Sequence, residues 1–437
     1  MSRALRIVAE WESLNEGGAE ERSCFAAVGI QANNIWLTEG RDALANRLRQ
    51  SPLLSAYHLA EWFAFHWWRL RWEPRATTLE WRLAHKMSNI GGGYIWPNIT
   101  IFSDGERTAL IARPSKEKPG APFRYIADMA AVMPSFDYES EIDSFIEQVL
   151  GRLESEKVKE TNLSKLWAEV CAERKDPGLS QIRKLEALMG HDPEEIEGSL
   201  VSRLISDANI LGMSGIEELV ADYPHLSGQH FPSATELSDI AKKVGFFASP
   251  NDRVDFSRNA EQQHGQIPAW KIGADTARAL REQEKLGDEP ISDKLLAQML
   301  AVDQKSLHQH AEPSPSDVSF LLEHPGDESR IVLRPKWHTG RRFELARLLG
   351  EHLMNTGKGF LPATRAYTYR QKAQRSFAAE LLSPFGAIME MLQGDYANEN
   401  LGDVAEQFQV SELTIRTQLV NHSILEREDL ELELAAA

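Results

Sequence analysis

The amino-acid sequence predicts three domains, mainly helical overall: an α+β N-terminal domain, an all-helical middle and an α+β C-terminal domain. Three observations predict this. At ~150 residues per domain, 437 residues make about three. Strand-like runs accompany helical periodicity toward both ends of the chain, whereas 163–310 carries helical spacing alone. Two stretches interrupt the pattern, the charge-rich Glu154–Thr161 and the turn-rich Ala311–Ser316, AEPSPS. The expected domains are 1–155, 156–312 and 313–425, with an acidic tail at 426–437.

In the first domain Leu5–Trp11 and Phe25–Leu37 read as strands and Asp42–Trp72 as strongly helical. Tyr94–Ala112 reads as a hairpin turning at Ser103, Asp104 and Gly105, and a strand over Arg124–Met133 precedes a helix over Glu139–Leu153. In the middle, LSKLWAEVCAE, IRKLEALMG and IEELVADYP space apolar residues three and four apart, and recurrent Gly and Pro predict short helices. Beyond the second boundary, Val318–Leu322 and Arg330–Leu333 read as strands around the turn His324–Asp327. Helices are expected at Arg341–Thr356, at Gln371–Leu392 and from Leu401 onward, and the end, EREDLELELAAA, is expected to fray.

Hydrophobic content of 42% and charged content of 26% exclude collagen-like, low-complexity and wholly disordered classes. Cys24 and Cys171 make neither a disulfide framework nor a zinc ribbon, and the first residues carry no apolar signal segment, so a reducing cytoplasm is expected. Leu53–Trp72 is long enough to cross a bilayer, but His58, Glu61, His66, Arg69 and Arg71 interrupt it, and it reads as a buried helix; no membrane partner is expected. A net charge of -17, from 48 basic and 65 acidic residues, argues against a generally DNA-coating surface while permitting a local basic patch.

The most specific pattern lies in the C-terminal third. RRFELARLLGEHLM (Arg341–Met354) is followed by QKAQRSFAAELLSPF (Gln371–Phe385) and by LGDVAEQFQVSELTIRTQL (Leu401–Leu419). Over less than a quarter of the chain this resembles the ImmA/IrrE family of metallopeptidase-like proteins, which implies a zincin-like C-terminal domain. In that family two histidines four apart on one helix bind zinc, the glutamate after the first acts on the attacking water, and a second-helix glutamate completes the ligand set. At those positions this chain has Arg347, Leu348, Glu351 and Gln371, and no HExxH occurs elsewhere. A guanidinium cannot ligate zinc and leucine cannot move a proton. The resemblance therefore implies a vestigial cleft with no catalytic residue, no metal and no cofactor. Arg347 and Glu351, at i and i+4, are expected to pair across it with Gln371 alongside. His338, His352 and Glu380 are the polar groups available should the emptied cleft bind something else.

Other features suggest binding. PISDKLLAQMLAVDQKSL places Ala297, Ala301, Val302 and Leu307 at helix-turn-helix positions, as Ala405, Val410, Ser411 and Ile415 do in the last helices. The recognition helices expected from this, Asp303–His310 and Ser411–Val420, carry only Lys305 and Arg416 as cations. Arg365, Arg370, Lys372 and Arg375 make a better basic patch for nucleic acid or an acidic partner. In the Trp-rich first domain, His58, Glu61, Trp62 and Arg69 share or border one helical face, as a domain core or as a pocket able to stack a base. Gly91–Gly93 precedes a strand and not a helix, so it reads as a turn and not a phosphate cradle. His225 with His230, and His308 with His310, have no cysteine or carboxylate at zinc spacing and read as loop residues. The leading expectation is a non-catalytic interaction or regulatory protein with a protein partner. The alternatives are a DNA- or RNA-binding regulator and an enzyme with its site in the N-terminal domain. The resemblance implies a bacterial stress, toxin-antitoxin or phage-defence setting.

Overall fold

The structure, a computed structural model, describes residues 3–116, 120–249, 252–254, 265–308, 316–323, 329–355 and 359–426. The expected turn His324–Asp327, the linker residues 311–315, His310, Thr356 and the tail from 427 lie outside the described residues. The fold mixes α and β. The chain gathers into two compact units that divide near residue 201, with Gly265 and Gln266 counted in the first.

In the first unit, β1 (Leu5–Trp11) is followed by the short helix α1 (Ala19–Ser23) and by β2 (Phe25–Ala32) and β3 (Ile35–Trp36). Next come β4 (Gly40–Asp42), β5 (Arg47–Arg49) and β6 (Leu53–Ser55), all within or beside the stretch expected to be helical. Helix formation is pre-empted there by local turns. The Asp42 carboxylate accepts the backbone N–H groups of Leu44 and Ala45, and Asn46 takes a positive φ of 46°. The helix starts only at α2 (Ala56–Phe65), where Ser55 caps it. It breaks at His66, and α3 (Trp67–Trp72) and α4 (Leu79–His85) follow.

The expected hairpin forms from β7 (Ile99–Ser103) and β8 (Arg107–Ala112), with Gly105 at φ +100° in its turn. The single strand expected over Arg124–Met133 is two, β9 (Phe123–Tyr125) and β10 (Met129–Pro134), which join different sheets. Helices α5 (Ser135–Ser155), α6 (Asn162–Lys175) and α7 (Pro177–Leu188) complete the unit. The boundary expected at 155 falls inside it, because Leu163, Trp167 and Val170 of α6 are buried in the same core as Phe63, Trp68 and Phe145.

Helix α8 (Gly198–Leu211) spans the division. The second unit continues with α9 (Met213–Ala221), α10 (Ala234–Val244), β11 (Phe246–Ala248), α11 (Ala269–Gln283) and α12 (Asp293–Met299). It then runs through β12 (Ser319–Glu323), β13 (Ser329–Val332), α13 (His338–Met354), β14 (Phe360–Ala363) and α14 (Tyr369–Leu382). Pro384 separates α14 from α15 (Phe385–Leu392), so the helix expected over Gln371–Leu392 is two. The chain closes on the helix pair α16 (Asn398–Phe408) and α17 (Glu412–Asn421). The four strands form an antiparallel sheet in the order β11-β13-β12-β14. The middle of the chain is thus not all-helical, since β11 supplies a strand to the C-terminal sheet. Its three residues are too few for periodicity to reveal, and it is held by pairing with β13. Among the described residues no helix is long and apolar enough to cross a membrane.

The placement of α13 and α14 decides where the candidate site lies. Residues 341–351 of α13 are buried on all sides except at Phe343, so the helix is the unit's central rod. A Cβ built on Gly350 would lie 2.5 Å from the Phe377 ring of α14. One built on Gly273 of α11 would lie 2.2 Å from the Ala373 carbonyl oxygen. Gly273 therefore lets α11 approach the backbone of α14, and Gly350 makes room on α13 for the Phe377 ring. In an exposed helix Gly→Ala stabilises by up to about 1 kcal/mol. We expect that gain at Gly402, where a Cβ meets nothing within 4 Å. At Gly273 backbone blocks the methyl group, so Gly273→Ala should lower the melting temperature while Gly402→Ala raises it, as read by thermal denaturation.

Candidate functional site

At the positions where the resemblance places zinc ligands, the second unit holds a closed polar network. Arg347 is 3% exposed, and Leu348, Glu351 and Gln371 are 0% exposed. Arg347 Nη1 donates to Glu344 Oε1 at 2.9 Å, one turn back on α13. Its Nη2 donates to the Thr364 carbonyl and to Gln371 Oε1, each at 2.6 Å. Gln371 is held in turn. Its Oε1 accepts the Thr364 N–H at 2.8 Å and its Nε2 donates to the Pro362 carbonyl at 3.1 Å. Thr368, whose hydroxyl caps α14 by accepting from the Gln371 N–H, sets where Gln371 stands.

The expected pairing of Arg347 with Glu351 is not what forms. Glu351 binds Arg370 through Oε1, while its Oε2 accepts from Gln374 Nε2 at 2.5 Å and from Asn355 Nδ2 at 2.8 Å. Gln374 links the two halves, since its Oε1 also lies 3.4 Å from Arg347 Nη2. An i,i+4 spacing permits a pair, but here closer partners compete for each charge. Glu344 lies three residues before Arg347, and Arg370 reaches Glu351 from α14. Leu348 packs in the apolar core. Two atoms of the network, Arg347 Nε and Glu344 Oε2, are buried without a hydrogen-bond partner.

The charges facing this network are tuned by burial. Glu218 of α9 accepts the Thr368 hydroxyl at 2.7 Å, and burial pushes its carboxyl above the ordinary value of 4.5 despite the neighbouring Arg370 and Thr368. Burial, with Arg347 nearby, pulls the Arg375 guanidinium down to about 10. Burial also opposes the charge on Arg370, but Glu351 and Glu218 outweigh it and raise its pKa.

The expected basic patch is largely directed inward. Arg370 is tied to Glu351 with its side chain 13% exposed, and Arg375 donates to the carbonyls of Thr364 and Ala366. Arg365 is exposed but donates to the His225 carbonyl, and Lys372 is half-buried. Of the remaining polar groups, His338 and His352 stand fourteen residues apart on α13, about 21 Å of helix. Glu380 is buried near Arg278, outside the network, and burial pushes its carboxyl up.

The two expected recognition helices differ: Lys305 is exposed, whereas Arg416 is tied down. Asp303–His310 forms only the short 3₁₀ turn Gln304–Leu307 among its described residues. Ala405, Val410 and Ile415 bury the α16–α17 pair and Ser411 caps α17, but Arg416 is held by Glu412 and Asn398.

In the first unit the expected pocket residues separate into two neighbourhoods. Glu61 accepts from Tyr57 and Asn162, and His58 packs beside the Tyr57 and Tyr94 rings. Arg69 instead lies buried and bidentate on Glu73, with Asp192 3.6 Å away. Glu73 also meets His85 Nε2 at 2.8 Å, and Trp81 stacks on His85 at 4.4 Å. Trp62 is buried with its indole Nε1 unpartnered. The sequence reading missed Glu73, His85 and Asp192. Only the Arg69–Glu73 spacing of i,i+4 carried a signal for them.

Two outcomes follow for the buried network and the charges around it. Removing one member of a buried pair strands the other, at about 3–5 kcal/mol. Arg347→Leu and Glu344→Leu should each destabilise by that order, and the double variant by clearly less than their sum. Arg347→Leu combined with Glu351→Leu should show weaker coupling, read in the same denaturation experiment. The second outcome concerns Glu218. A carboxyl whose pKa is raised in the folded state contributes stability below its unfolded value, and that stability is lost as pH rises through the folded value. Glu218→Gln removes the loss, so its melting temperature relative to wild type should climb from pH 4.5 toward neutrality. A difference that stays flat would show the ionised carboxylate to be fully compensated.

Compared with known proteins, the chain matches no family model, no curated protein and no solved structure.

Proposed function

We propose that this protein is a non-catalytic interaction or regulatory protein whose C-terminal region is a degenerate ImmA/IrrE-like peptidase domain. One observation carries the reading. The side chains at the four motif positions, Arg347, Leu348, Glu351 and Gln371, are spent on internal partners. Arg347 and Gln371 satisfy each other and the β14 edge, Glu351 satisfies Arg370 and Gln374, and Leu348 is core. A peptidase site needs a metal or base with open access to a carbonyl carbon, and this arrangement offers neither. The resemblance supplies the setting we propose: a bacterial cytoplasm, a protein partner, and a role in a stress, toxin-antitoxin or phage-defence response. A nucleic-acid role draws less support, because Arg370, Arg375 and Arg416 are engaged within the protein and the net charge of -17 repels phosphate.

The test is a cleavage assay with the full chain, added zinc and an unstructured protein such as casein, run beside Glu344→Gln and Glu351→Gln. No cleavage above the two variants is expected, and a partner purified with the chain from its host should remain full length. Zinc-dependent hydrolysis that Glu351→Gln abolishes would overturn the reading.

A further inference from the structure

We propose that Asp293, His308 and His338 form a binding site for one divalent transition-metal ion of the zinc class. The three come from separate segments of the second unit: Asp293 opens α12, His308 follows the 3₁₀ turn Gln304–Leu307, and His338 opens α13. His338 Nε2 lies 2.7 Å from Asp293 Oδ2, and His308 Nε2 lies 3.2 Å from the same oxygen. One ligand atom from each residue falls within 4.8 Å of the other two. A tetrahedral zinc with bonds of about 2.0–2.1 Å sets its ligands roughly 3.3 Å apart. The two histidine–carboxylate distances already stand near that separation.

The surroundings favour an ion over a plain hydrogen-bonded cluster. The imidazole rings of His308 and His338 stack at 4.9 Å and 10°, with both Nε2 atoms directed at one carboxylate oxygen. Without a metal, each Nε2 needs its own proton to bond that oxygen. A metal ion takes the two nitrogen lone pairs and the oxygen together, with both imidazoles neutral. The carboxylate is held for the task. Its other oxygen, Oδ1, is bound by Arg342, which is fully buried and also donates to the Ile291 carbonyl at 2.7 Å. Such outer partners orient a metal ligand and tune its charge.

The turn before His308 is tied as well. Arg341 Nε donates to the Ser306 carbonyl at 3.0 Å, and Nη1 donates to the Leu333 and Pro335 carbonyls. Access is open, since the His308 side chain is 55% exposed and that of His338 35%, against 14% for Asp293. Two imidazoles and one carboxylate leave at least one coordination position for water or an outside ligand. A bound ion would also pin the start of α13 to α12. The site lies apart from the plugged cleft, and its residues are not the motif positions Arg347, Glu351 and Gln371.

The experiment titrates the full chain, stripped with chelator, with Co²⁺, a zinc substitute that absorbs in the visible when bound by nitrogen and oxygen in low coordination number. We expect one equivalent bound with visible absorption, displaced by Zn²⁺, and a higher melting temperature with metal than with chelator. His308→Ala and His338→Ala should each weaken uptake at least ten-fold, while Glu351→Gln leaves it unchanged. Because His308 is exposed, His308→Ala should melt like wild type in chelator, which separates lost ligation from lost folding. No cobalt uptake by wild type overturns the proposal, as does uptake that survives both histidine changes. Uptake lost only in Glu351→Gln would overturn it too, and would count separately against the plugged-cleft reading.

Discussion

A guanidinium removed from water must find acceptors for its N–H groups, and both units are arranged around that requirement. An unpaired buried charge costs several kcal/mol, more than most single contacts return. In the first unit Arg69 takes Glu73 and Arg183 takes Glu173, Glu186 and Glu194. In the second, Arg281, Arg341, Arg342 and Arg347 are all buried, and they solve the problem in different ways. Arg281 and Arg341 bind backbone carbonyls among their described partners, and burial lowers the pKa of each, that of Arg341 to about 10. Arg342 and Arg347 bind carboxylates. Carbonyl-bound arginines fasten loops and helix ends in place, whereas carboxylate-bound ones neutralise a charge.

Helix α13 carries two unlike regions, each with buried arginine. At its start, Arg341 and Arg342 hold the 3₁₀ turn and α12 against the helix, and Asp293 and His308 are brought beside His338 at a solvent-facing edge. Two to three turns on, Arg347 and Glu351 are enclosed by α14 and the β14 edge, and their partners leave no outward-facing donor or acceptor set. One helix thus has an open end with ligand-type side chains and a closed middle whose polar groups face one another. The glycine-permitted approach of α11, α13 and α14 is what closes the middle, since Gln371 and Gln374 reach Arg347 and Glu351 only when the helices lie this near.

The same competition for partners shows how far local patterns reach. Arg347 and Glu351 have the spacing of a helical ion pair, yet each finds a better partner, because in a buried site hydrogen-bond geometry outweighs a flexible surface attraction. Arg370 and Arg375 read as a surface patch because cations cluster in sequence, but α14 turns them toward Glu351 and two carbonyls. His308 reads as a loop histidine without a carboxylate at metal spacing, since Asp293 and His338 stand fifteen and thirty residues away.

The sequence by itself determined the mixture of α and β, the hairpin at Ser103–Gly105, the strands before α13, the helix α13 itself, and the absence of HExxH. These are local: periodicities of two or about 3.6, turn residues and motif positions are written in consecutive residues. The tertiary structure alone decided that α6 belongs to the first core, that β11 and β14 complete the C-terminal sheet, and which carboxylate neutralises each arginine. It alone gathered Glu73 with His85, and Asp293 with His308 and His338. The physical reason is that strands of three or four residues and buried charges are held by partners distant in the chain, and their energy depends on packing that local patterns do not encode.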